Sequence, residues 1–106
     1  MPAQQGAIFR QVGTNQNVTW ATSGGASAAS SAFGAQTYWV RVCAVSATAG
    51  DGVRYVVGDS TPTAVSTSAL LPVGQYEYVQ CTPGQKVAVL GNGNTTGVLS
   101  VVELTH

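Results

Sequence analysis

The apolar residues of this chain fall in short alternating blocks, and nearly every block ends on Gly, Pro, Asn or Ser. Such spacing repeats every two residues rather than every 3.6, which is the pattern of strands and turns. Residues 7–12 (AIFRQV) and 18–22 (VTWAT) read as strands joined by Gly13-Thr14-Asn15-Gln16-Asn17. Residues 38–46 (YWVRVCAVS) are the strongest candidate, dense in β-branched and aromatic side chains. Alternation places Val40, Val42 and Ala44 on one face of that strand and Trp39, Arg41 and Cys43 on the other. The turn Ala49-Gly50-Asp51-Gly52 predicts a hairpin return through residues 53–57 (VRYVV). Residues 75–81, 86–90 and 98–104 complete the set, with Pro83-Gly84 between the first two and Gly91-Asn92-Gly93-Asn94 before the last. The segment 98–104 carries Val and Leu on both faces, as an inner strand does. The expectation is an all-β fold: a small antiparallel β-sandwich or barrel of about seven strands.

Two long Ser/Ala/Thr-rich stretches interrupt the strands. Residues 23–36 (SGGASAASSAFGAQ) are too small in side chain to build a core, and Phe33 is their one large anchor. That stretch is expected to cross one end of the sandwich with Phe33 tucked beneath it. Residues 58–72 (GDSTPTAVSTSALLP) read as a surface excursion whose far end Leu70 and Leu71 pin to the core. A length of 106 residues suits one domain, here residues 7–106. The first six residues lack apolar periodicity and read as an arm that contacts another chain. They also lack the basic and apolar regions of a signal peptide. No run approaches the ~20 apolar residues of a membrane helix. Cys43 and Cys81 are too few for a disulfide scaffold, and are either buried free thiols or one bridge.

Charge narrows the function classes. Only 8% of residues are charged, and four basic residues cancel four acidic ones; an ordinary domain carries about a quarter. Four scattered cations cannot neutralise a phosphate backbone or hold an anionic bilayer, so nucleic acid and membrane surfaces are not expected partners. Catalytic chemistry is equally thin. The one histidine, His106, is the last residue, where no second group orients it. No Ser–His or Cys–His pair can then form around Ser46, Ser100, Cys43 or Cys81. The carboxylates Asp51, Asp59, Glu77 and Glu103 suggest no pair across a cleft and are too sparse for calcium. The glycine-rich run at 91–97 lacks the lysine of a phosphate loop. The expectation is a chain that is not an enzyme and takes no cofactor or metal. A neutral surface of this kind favours self-association. The aromatics Phe9, Trp20, Trp39 and Tyr76 are the candidates for subunit contacts, because interfaces favour aromatic anchors and exclude charge from their centres. A carbohydrate-binding platform drawn from Trp20, Trp39, Tyr38, Tyr55, Tyr76 and Tyr78 is the competing use of the same residues.

Residues 31–42 (SAFGAQTYWVRV), 71–90 (LPVGQYEYVQCTPGQKVAVL) and 97–103 (GVLSVVE) resemble a diffuse group of small bacteriophage virion proteins. The shared features are a small-residue stretch before an FGAQT strand, an aromatic–Glu–aromatic strand after LP, a PGQK turn, and a closing G-x-L-S-V-x-E. The pattern does not extend to residues 3–21. The resemblance implies a structural protein of a phage particle. The size suits a capsid decoration (cement) protein that binds and stabilises the assembled head. Its partners are then the major capsid protein and further copies of itself, a trimer among the symmetric options. Its place is the capsid surface of the virion, after assembly in the host bacterial cytoplasm. A tail, connector or fibre-base component is the alternative within the same group, and a small carbohydrate-binding sandwich is the alternative outside it.

Overall fold

The computed structural model describes residues 10–20, 27–45, 52–92 and 97–105. Among them run nine strands: β1 (Arg10–Gln11), β2 (Gln16–Trp20), β3 (Ala28–Ala29), β4 (Trp39–Val45), β5 (Val53–Gly58), β6 (Ala69–Leu71), β7 (Tyr76–Gln80), β8 (Lys86–Gly91) and β9 (Gly97–Thr105). They form two antiparallel sheets packed face to face. In the first, β9 pairs with β1 and β2 along one edge and with β4 along the other, and β7 lies outside β4. The second has the order β3-β8-β5-β6. The all-β sandwich read from the sequence is therefore present. None of the described residues forms a helix long and apolar enough to cross a membrane.

Alternation along the strands builds the core. Val40, Val42 and Ala44 of β4 point inward and are buried, while Arg41 and Val45 are exposed on the opposite face. Leu99 and Val101 of β9 continue the inner layer, and Val53, Tyr55, Val87 and Val89 face them from the second sheet. β9 is the inner strand that its composition predicted, with β4 along one edge from Val98 to Leu104 and β1 and β2 sharing the other. Phe33 is buried, as expected, and its backbone is clamped by the β7–β8 turn. Its N–H donates to Gln85 O (2.8 Å), and Gly84 N donates to Phe33 O (3.1 Å).

Several expectations are corrected. There are nine strands rather than seven, because β3 and β6 lie inside the two stretches read as irregular. A short edge ladder needs backbone groups, not an alternating apolar pattern, so Ala28-Ala29 pairs with β8 without a sequence signal. The return through 53–57 is no hairpin partner of β4. Both edges of β4 are taken by β7 and β9, and β5 belongs to the other sheet. A Gly-Asp-Gly signal marks a chain reversal without specifying which sheet the chain enters. Among consecutive strands only β5 and β6 pair with each other. Leu71 alone pins the second excursion, since neighbouring residues of a strand face opposite ways and Leu70 is exposed. That excursion is tied to the outer side of the second sheet. Arg54 Nη1 donates to Ser68 O, Lys86 Nζ to Thr61 Oγ1, and Ala64 N to Ser27 Oγ. Both cysteines are free: Cys81 lies in the core, whereas Cys43 alternates with inward-facing Val42 and Ala44. The arm at 1–6, Phe9, the turn at 49–51, residues 93–96 and His106 lie outside the described residues.

One irregularity positions the site. β1 and β2 do not pair with each other; both run along the same edge of β9, with Gln11 opposite Leu104 and Gln16 opposite Val101. Val12 N still donates to Glu103 O (2.9 Å), so residues 13–15 loop outward opposite a single β9 residue. Gly13 occupies this bulge with φ +69°, the left-handed region that glycine enters without a Cβ penalty.

Candidate functional site

Glu103 ends the inward row Leu99, Val101, Glu103 at the point where residues 30–37 cross the sandwich. It is only 3% exposed. Its Oε1 accepts from the Thr37 hydroxyl (2.6 Å) and from Gly34 N (2.9 Å), and its Oε2 accepts from Gln16 Nε2 (3.3 Å). Gln16 is itself oriented, because its Oε1 accepts from Ser31 N (2.8 Å). The carboxyl therefore joins three parts of the chain: β2, the crossing segment and β9. Its donors are all neutral, and no ion pair reaches it among the described residues. Above it opens a cleft of about 370 Å³, lined by Gly13, Thr14, Gln16, Ser31, Ala32 and Gly34 with Glu103. The negative charge is felt nearby. Burial first, and the charge of Glu103 second, push the Cys81 thiol up to about 11. Chemically, a single carboxyl with neutral neighbours can orient a loop or hold a cation; among the described residues no second carboxyl or imidazole shares a proton with it.

The second feature is the outer face of the first sheet. Trp39, Arg41, Cys43 and Val45 of β4 stand beside Tyr76 and Tyr78 of β7, with Cys43 opposite Tyr76 and Arg41 opposite Tyr78. Tyr76 is 59% exposed, Tyr78 48% and Val45 53%. The two tyrosine rings meet edge to face, centroids 5.9 Å apart and planes at 90°. On the inner face of β7, Glu77 accepts a hydrogen bond from the Tyr55 hydroxyl of the opposite sheet. Burial first, and Glu77 second, hold that hydroxyl above the usual tyrosine range.

The four aromatics singled out in the sequence separate. Tyr76 is exposed on this face, and Trp39 shares it half-buried. Trp20 is a core residue, 1% exposed, and offers no surface to a subunit contact. Alternation of β2 turns Val18 and Trp20 inward together, and the ring lies where a Cβ on Gly97 would sit 2.7 Å away. Phe9 lies outside the described residues. Tyr78, named in the sequence only for the carbohydrate platform, and Val45, not singled out there, join this face, and their place on it follows from the same period of two. Glu103 was weighed there only as a lone carboxylate, and its grouping with Gln16 and Thr37 was missed. The available signal was its position in the apolar row Leu99-x-Val101-x-Glu103.

Comparison with protein-family models, with curated proteins and with solved structures finds no match for this chain.

Proposed function

We propose that this chain is a structural protein of a bacteriophage particle, a decoration protein on the outside of the head, and that it works by contact rather than catalysis. The observation that carries this reading is the outer face of the first sheet, where Tyr76, Tyr78 and Val45 stay about half exposed beside a single charge, Arg41. Interface cores are enriched in Tyr, Trp and Arg and depleted of Lys and Glu, and exposed aromatic clusters mark sites of association. The resemblance of residues 31–42, 71–90 and 97–103 to small virion proteins supplies the class of partner: the major capsid protein and further copies of this chain. Binding to an assembled shell, but not to a loosened one, stabilises the shell by mass action. The edge-to-face tyrosines favour protein contact over a carbohydrate platform, because a sugar ring stacks on a flat aromatic surface and these planes stand at 90°.

The test is co-sedimentation of the purified chain with emptied heads, and its localisation on them by electron microscopy. Tyr76→Ala combined with Tyr78→Ala should weaken binding at least about 30-fold, the loss expected of interface anchors. Full occupancy by the doubly substituted chain would overturn the assignment of this face. Failure of the unaltered chain to bind any head, together with saturable binding to glycans, would overturn the virion reading itself.

A further inference from the structure

Glu103 is a buried acidic group with no positive charge beside it among the described residues, and such a group is costly unless something compensates it. A carboxylate offers about four acceptor positions. Thr37 and Gly34 fill those on Oε1, and Gln16 fills one on Oε2. Among the described residues Oε2 accepts from Gln16 alone, and Glu103 lines the cleft. Two more residues with acceptor oxygens line the same space. Gln16 Oε1 takes one hydrogen bond, from Ser31 N, and keeps a second lone pair. Thr14, which carries a hydroxyl, also lines the cleft. Gly13 lines the cleft too, and a Cβ there would stand 2.7 Å from Oε1 and 3.7 Å from Oε2.

We propose that this cleft binds a primary ammonium group, carried by the lysine side chain of a docked protein or by a small free amine. An ammonium is a compact charge with three N–H donors, and the cleft is lined by the Glu103 carboxyl together with the oxygen-bearing side chains of Gln16 and Thr14. A guanidinium fits less well, since its fork needs both carboxylate oxygens and Oε1 is already filled. A divalent ion needs more anionic oxygens than one carboxylate provides. The site does not rest on the virion reading and is tested without shells.

The ¹⁵N-labelled chain is titrated with methylammonium chloride, and separately with tetramethylammonium chloride at equal ionic strength, while the amide resonances of Ser31 and Gly34 are followed. Methylammonium should produce saturable shifts with a midpoint on the order of 10–100 mM, the range of one charge-assisted hydrogen bond and its neighbours. Tetramethylammonium, charged but without N–H donors, should not. Glu103→Gln should abolish the response. Gly13→Ala, which keeps the carboxyl but crowds the cleft, should abolish it as well, so that misfolding of one variant still leaves a test. The peptide acetyl-Gly-Lys-Gly-amide separates the sources. Binding at least as tight as methylammonium assigns the site to a protein lysine, and binding of methylammonium alone assigns it to a free amine. Unsaturable shifts, equal shifts from both salts, or an undiminished response in folded Glu103→Gln would overturn the proposal.

Discussion

The Cβ that Gly13 lacks would stand 2.7 Å from Oε1 of Glu103, two residues that lie 90 positions apart in the chain. A bulge at one end of the sheet and a buried carboxyl at the end of β9 are thus one structural unit. The glycine is required twice, by its positive φ and by the space its side chain would fill.

Gly13→Ala should therefore lose more than an ordinary left-handed glycine. Gly74 has φ +85° and nothing within 4 Å of its missing Cβ, so Gly74→Ala isolates the conformational cost, about 1 kcal/mol. Gly13→Ala adds the crowding of Glu103 and should cost about 2–3 kcal/mol in urea denaturation. Equal losses in the two variants would show that the carboxyl simply moves aside.

Thr37→Val keeps the shape of a fully buried side chain while removing the 2.6 Å donor to Glu103. A hydrogen bond to a charged group contributes about 1.5–3 kcal/mol, and loss of that order is expected. Chemical denaturation checks it, with Thr19→Val on the exposed side of β2 as the control that should change by less than about 0.5 kcal/mol.

Leu99→Ala and Val101→Ala remove completely buried side chains from the inner row of β9. Each should cost about 2–4 kcal/mol through lost burial and the cavity left behind. Tyr76→Ala, at an exposed position, should leave the stability of the isolated chain within about 1 kcal/mol of the original. Denaturation midpoints that fall equally for Leu99→Ala and Tyr76→Ala would contradict the packing described.

Stability should fall on the alkaline side. The Cys81 thiol titrates at about 11 in the fold against 9.0 in the open chain, because burial disfavours the thiolate and Glu103 repels it. Its folded value is the higher one, so between those limits the unfolded chain releases a proton that the folded chain retains. The contribution is complete below about pH 9 and drains away as pH rises towards 11. A loss of about 1 kcal/mol between pH 8 and 10 is expected from this group. Cys81→Ala should show a shallower decline than the original chain over that interval in denaturant titrations. Parallel declines would remove Cys81 as the cause.

The strands were legible because burial acts residue by residue. Val40, Val42 and Ala44 announce an inner face by alternation alone, and β4, β5, β7, β8 and β9 fall close to where the apolar blocks lie. The contact face was partly legible for the same reason: one alternation places Trp39 on the side opposite Val40, and another places Tyr76 with Tyr78. Trp20 was misplaced because an aromatic in a short strand reads alike at a surface and in a core; only the pairing of β2 with β9 turns it inward.

The sequence by itself determined the class of fold, the inner and outer rows of its long strands, and a composition poor in charge. Each follows from local spacing or from a sum over residues. Tertiary structure decided which strands are neighbours, since a glycine turn leaves the choice of sheet open and the pairing of β4 with β7 and β9, and of β5 with β6 and β8, settles it. It also decided the meaning of Glu103. A lone glutamate in an apolar strand becomes a site only when Gln16, Gly34 and Thr37 arrive from 66 to 87 residues away to satisfy it. Hydrogen bonds between such distant residues depend on loop closure and sheet packing, and no window of sequence contains both partners.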